Sequence, residues 1–98
     1  METIYQQLAD LARQYGAQRL VLFGSRARGD HHPRSDIDLA IYGLAPSVYA
    51  GFRLDLEDLP TLLQFDCVPI EPTTDPALLA EIERDGVTLY DAENHEAG

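Results

Sequence analysis

Apolar residues at Ile4, Leu8, Leu11, Ala12 and Tyr15 recur at the i, i+4, i+7, i+8, i+11 positions of a single buried stripe. That period predicts an amphipathic helix over 4–15, with Thr3 and Gln6 as a capping box and Gly16 as the stop. The pattern then changes. Residues 19–23, Arg-Leu-Val-Leu-Phe, form an apolar run between Gly16 and Gly24 and predict a buried strand. A polar loop broken by Pro33 follows at 30–35. Residues 36–42 then alternate, with Asp36, Asp38, Ala40 and Tyr42 on one face and Ile37, Leu39 and Ile41 on the other.

The second half repeats this rhythm. Val48, Tyr49, Phe52, Leu56 and Leu59 predict a helix over 46–59, between Pro46 and Pro60. Residues 62–68 predict a third strand, ended by Pro69 and Pro72. Leu63, Phe65 and Cys67 share its apolar face; Gln64, Asp66 and Val68 share the other. Asp75-Pro76 caps and opens a last helix with a Leu78, Leu79, Ile82 stripe and Gly86 as its stop. Val87–Tyr90 predicts a short fourth strand, and the polar stretch 91–98 a frayed tail. The expected architecture is a small α+β domain, one unit over 1–98. Its mixed sheet of three to four strands has helices packed on one face.

Composition narrows the functional classes. With 98 residues and 45% hydrophobic content, the chain can bury one core. No apolar run approaches the ~20 residues of a membrane span. There is no leader pattern at the N-terminus, and a single Cys67 forms no internal disulfide, so the expected location is the cytoplasm. Seven basic against 17 acidic residues leave a net charge of −10. Such a surface repels phosphate backbones, so stable nucleic-acid binding is not expected, whereas a basic protein partner suits it. Yet Arg26, Arg28 and Arg34 cluster in one loop, and a local basic group in an acidic chain can serve a small polyphosphate.

The chemistry concentrates in 24–41. Gly24 lets the backbone turn sharply and allows close approach of a ligand, and the Ser25 hydroxyl is a phosphate donor that can also cap the short turn after it. Two carboxylates on one face of a strand repel each other, and a lone Asp66 in an apolar strand needs a partner. A cation answers both demands. Carboxylate oxygens are the hard ligands that Mg²⁺ prefers, and Asp36 and Asp38 can bridge two such ions, with Asp66 completing a shell. Gly24, Ser25, Arg26 and Arg28 would hold the phosphates. This combination points to metal-assisted phosphoryl transfer. Adjacent loop histidines, His31 and His32, point apart and are expected to be solvated; Cys67 is expected in the core.

Gly24-Ser25, ten residues, then Asp36-Ile37-Asp38 resembles the signature of polymerase-β-like nucleotidyltransferases, with Asp66 in Phe-Asp-Cys-Val at the place of the third carboxylate. On so short a chain, Gly-Ser-Arg-Ala-Arg-Gly followed by Ser-Asp-Ile-Asp-Leu-Ala-Ile looks like the minimal nucleotidyltransferases (MNT) encoded beside HEPN-domain proteins. The resemblance implies Mg²⁺-dependent transfer of AMP from ATP to a tyrosine hydroxyl of a cognate HEPN ribonuclease toxin, silencing it within a hetero-oligomer. Two other functions stay open: an antitoxin that neutralises by binding alone, and a nucleotidyltransferase for small acceptors such as aminoglycosides.

Overall fold

The computed structural model describes residues 2–93. Its elements run α1 (Glu2–Gln14), β1 (Arg19–Phe23), α2 (Ser25–Arg28), β2 (Ile37–Tyr42), α3 (Pro46–Glu57), β3 (Phe65–Ile70), α4 (Pro76–Asp85) and β4 (Val87–Asp91). The strands form one mixed sheet in the order β3-β2-β1-β4. β1 pairs antiparallel with β2 and with β4, and β2 pairs parallel with β3. The parallel pair needs a crossover, and α3 supplies it.

Strand periodicity divides the core into two layers. Leu20, Leu22, Ile37, Leu39, Ile41 and Cys67 pack beneath α1 and α3, against Leu8, Leu11, Ala12, Phe52 and Leu56. Val21, Phe23 and Ala40 face the other way and pack with Ile82 of α4. The mixed α+β sheet is as expected, but α4 departs from the expected placement of all helices on one face. The reason is topological. β3 and β4 occupy opposite edges, so the chain must cross β2 and β1 between them, and α4 does so over the remaining face.

Several boundaries differ from the periodicity, each for a local reason. α1 already includes Thr3, so the expected capping box is absent and Thr3 is an exposed helical residue. Val48, expected on the buried stripe of α3, is 37% exposed, whereas Phe52 and Leu56 are fully buried. The third strand begins at Phe65 rather than residue 62. Leu62 projects into solvent, and the Thr61 hydroxyl accepts a bond from the Leu63 N–H at 3.1 Å, closing a turn there. Pairing starts where the Ile37 N–H reaches the Gln64 carbonyl at 2.9 Å. Pro69, expected to end the strand, lies within it opposite Ile41. It is tolerated because β3 is an edge strand, whose outer side needs no N–H. Asp75 caps α4 as expected, accepting from the Ala77 N–H at 2.9 Å. Of the tail expected at 91–98, Asp91 closes β4, and 94–98 lie outside the described residues.

Cys67 sits in the core as expected, and burial pushes its thiol up to about 11. The thiolate is therefore scarce at neutral pH. Alkylation by iodoacetamide at pH 8 is expected to be negligible in the folded protein and to proceed normally in denaturant, as followed by intact mass.

Candidate functional site

Phe23 ends β1 and Gly24 turns the chain into α2, a single helical turn. Gly24 has φ 76° and ψ −155°, a conformation open only to glycine, and its carbonyl accepts from the N–H groups of Ala27 and Arg28, both at 3.1 Å. Gly24, not Ser25, is thus the N-cap of this turn. A side-chain carbon at 24 would fall into the Asp38 carboxylate. The turn and the carboxylate are in contact only because 24 is glycine. Ser25 is half-buried, and its hydroxyl makes no hydrogen bond among the described residues.

The register of the sheet assembles the acids. Asp38 of β2 stands opposite Phe23 on one side and opposite Asp66 of β3 on the other. Opposed residues share a face, so Asp38 and Asp66 project to the same side from adjacent strands. Asp36 lies just before β2 and is exposed. Partial burial pushes the Asp38 carboxyl up, and the charges of Asp66, Asp36 and Glu81 push it further, while Arg28 opposes them. The charges of the two other expected carboxylates therefore reach Asp38, where negative charge exceeds its compensation.

Donor chemistry at this site suits a hard divalent cation: carboxylate oxygens, two on facing strand positions, with excess negative charge. Among the described residues, however, no three such side chains are already drawn together tightly enough to hold a metal ion. Phosphate oxygens from a substrate would have to complete any coordination.

The arginines divide their work in a way the sequence did not reveal. Arg26, expected on the phosphates, is buried; its Nε donates to the Ser35 carbonyl at 3.0 Å and its Nη2 to the Pro33 carbonyl at 3.2 Å. It ties α2 to the loop that delivers Asp36, and those bonds satisfy a charge that burial would otherwise penalise. Arg28 is half-exposed. Its Nε donates to Asp30 at 3.1 Å, and its Nη1 lies 4.0 Å from Glu81 of α4. Asp30 first, and the other acids of that rim, hold its pKa above the usual value. Arg34, His31 and His32 are exposed; His32 Nδ1 accepts from the Arg34 N–H at 3.2 Å. Glu81 is the residue that periodicity missed. It reads as one more polar position beside Ile82, and only the placement of α4 brings it to the acids.

A family model described as polymerase beta, nucleotidyltransferase matches residues 6–95. The chain belongs to the polymerase-β nucleotidyltransferase family. Its fold recurs in a toxin–antitoxin crystal structure with AMP-PNP, with a TM-score of 0.73 at 21% identity over 95% of this chain and 77% of that one. It recurs in the complex of a tri-AMPylated Shewanella oneidensis HEPN toxin with its MNT antitoxin, with a TM-score of 0.68 at 18% identity over 99% and 78%. A structure designated a minimal nucleotidyltransferase gives 0.70 at 29% identity over 88% and 89%. No curated protein shows significant sequence similarity. Among the described residues no helix is long and apolar enough to cross a membrane.

Proposed function

We propose that this nucleotidyltransferase is an antitoxin that transfers AMP from ATP to a tyrosine hydroxyl of a cognate HEPN ribonuclease toxin and so neutralises it. The observation that carries the reading is the pairing of Asp38 with Asp66 across β2 and β3, directly behind the Gly24 turn. The family and the toxin–antitoxin neighbours support it. Acidity supports the partner as well: a net charge of −10 favours docking to a basic, RNA-cleaving protein.

Asp36 and Asp38, with Asp66, would hold one or two Mg²⁺ ions, which would neutralise phosphate charge and favour loss of the acceptor's proton. The chain itself supplies the rest. After the Gly24 turn the Ser25 hydroxyl donates to the β- and γ-phosphates, and Arg28 meets their charge. Arg26 braces the loop that carries Asp36. The phenol oxygen bonds to the α-phosphorus as the bond from that phosphorus to the bridging oxygen breaks. Pyrophosphate departs, and the phenol proton passes to Asp66. Positioning and charge neutralisation do most of this work.

Intact mass of the partner toxin co-expressed with this chain tests the reading. The expected result is a gain of one or more AMP masses on the toxin, absent with Asp36→Ala/Asp38→Ala. A stable complex without any gain of mass, formed equally by both forms, would instead identify an antitoxin that acts by binding.

A further inference from the structure

Glu81 stands on the helix that covers the carboxylate face of the sheet, beside the buried Ile82 that anchors α4 on Val21, Phe23 and Ala40. From there its Oε2 lies 4.0 Å from Arg28 Nη1, while Asp30 takes the Nε of the same guanidinium at 3.1 Å. With Arg26 committed to the carbonyls of Ser35 and Pro33, Arg28 is the arginine of α2 left to meet a phosphate. It is already shared between two acids. We propose that Glu81 competes with the terminal phosphates of the bound nucleoside triphosphate for Arg28, and so sets how tightly this nucleotidyltransferase holds its nucleotide. The inference rests on the nucleotidyl-transfer reading above and adds a positioning residue to it.

The two side chains are 39% and 37% exposed, and an ion pair in that setting is weak. Arg28 can therefore exchange partners at little cost, and a phosphate, which accepts two parallel bonds from a guanidinium, is the stronger partner. Glu81 also places a negative charge close enough to act on Asp38, on the face that a polyanion must approach. Removing that charge takes away a competing attraction on the guanidinium and reduces repulsion of the triphosphate. Both effects have the same sign. Asp30 stays in place to keep the guanidinium oriented.

The test is ATP affinity, measured calorimetrically with Mg²⁺ on the full chain, for wild type, Glu81→Gln, Arg28→Ala and the double variant. Glu81→Gln is expected to bind ATP about three- to fivefold more tightly, and Arg28→Ala more weakly. On the Arg28→Ala background most of that gain disappears, and in wild type it shrinks at high salt. A glutamate with a merely structural role would not raise affinity when replaced. If wild type binds ATP and Arg28→Ala weakens it while Glu81→Gln leaves it unchanged or weaker, the competition is overturned and the nucleotidyl-transfer reading stands. If wild type binds no ATP, both fall.

Discussion

Asp38→Asn is expected to abolish nucleotidyl transfer, by at least about 10²–10³-fold in rate, while the thermal midpoint at pH 7 holds or rises. The two effects have one origin. Asp38 is partly buried and faces Asp66, Asp36 and Glu81, with Arg28 as the opposing charge. Its folded pKa therefore lies above the unfolded one. A carboxyl raised in this way favours folding most below its unfolded pKa, and that contribution is lost as pH rises through the folded pKa. At pH 7 the ionised group thus works against the fold it serves. Asparagine removes the charge and keeps the shape. Thermal melts of both proteins should show the variant ahead at pH 7 and the difference shrinking towards acid pH, where Asp38 itself protonates. A variant that melts lower at pH 7 yet still transfers AMP would contradict this account of the site.

Gly24→Ala carries the second large effect. With φ 76° and ψ −155°, position 24 lies in a region that is open essentially to glycine alone, so alanine strains the backbone by about 1–3 kcal/mol. Its methyl group also meets the Asp38 carboxylate. Either the turn or the acid must move, and transfer depends on both. The expected outcome is a lowered melting temperature together with loss of transfer to the level of Asp38→Asn. Gly29→Ala separates the two causes. Gly29 also has positive φ, at 86°, but a side-chain carbon there meets nothing within 4 Å. It should lose stability and retain transfer. Equal loss of transfer in both variants would show that backbone strain, rather than contact with Asp38, is what matters at Gly24.

Much of the site could be read along the chain because its parts are local. The Gly24 turn follows an apolar run, Asp38 belongs to an alternating strand, and Asp75-Pro76 announces α4 with a cap that the fold uses. Periodicity assigns a residue to a face wherever one face is buried, so β1 and β2 came out close to their true limits. Arg26 shows where that logic stops. Along the chain Arg26 and Arg28 are both expected on the phosphates, yet Arg26 is turned inward onto the Pro33 and Ser35 carbonyls and Arg28 outward to acids. Burial against a returning loop made that choice, and a linear pattern has no record of it.

By itself, then, the sequence determined the helices, the faces of the strands, and the spacing of Gly24, Ser25, Asp36 and Asp38. These depend on interactions within a few residues and on the 3.6- and 2-residue periods. Tertiary structure alone decided that β3 pairs parallel to β2 with Asp66 level with Asp38, and that Pro69 sits inside an edge strand. It also carried α4 over the opposite face of the sheet, and so brought Glu81 to Arg28. Register, edge and crossover depend on partners from 28 (Ile37 and Phe65) to 72 (Arg19 and Asp91) residues away in the chain. Their energies are settled only when distant strands compete for the same hydrogen bonds and the same buried face.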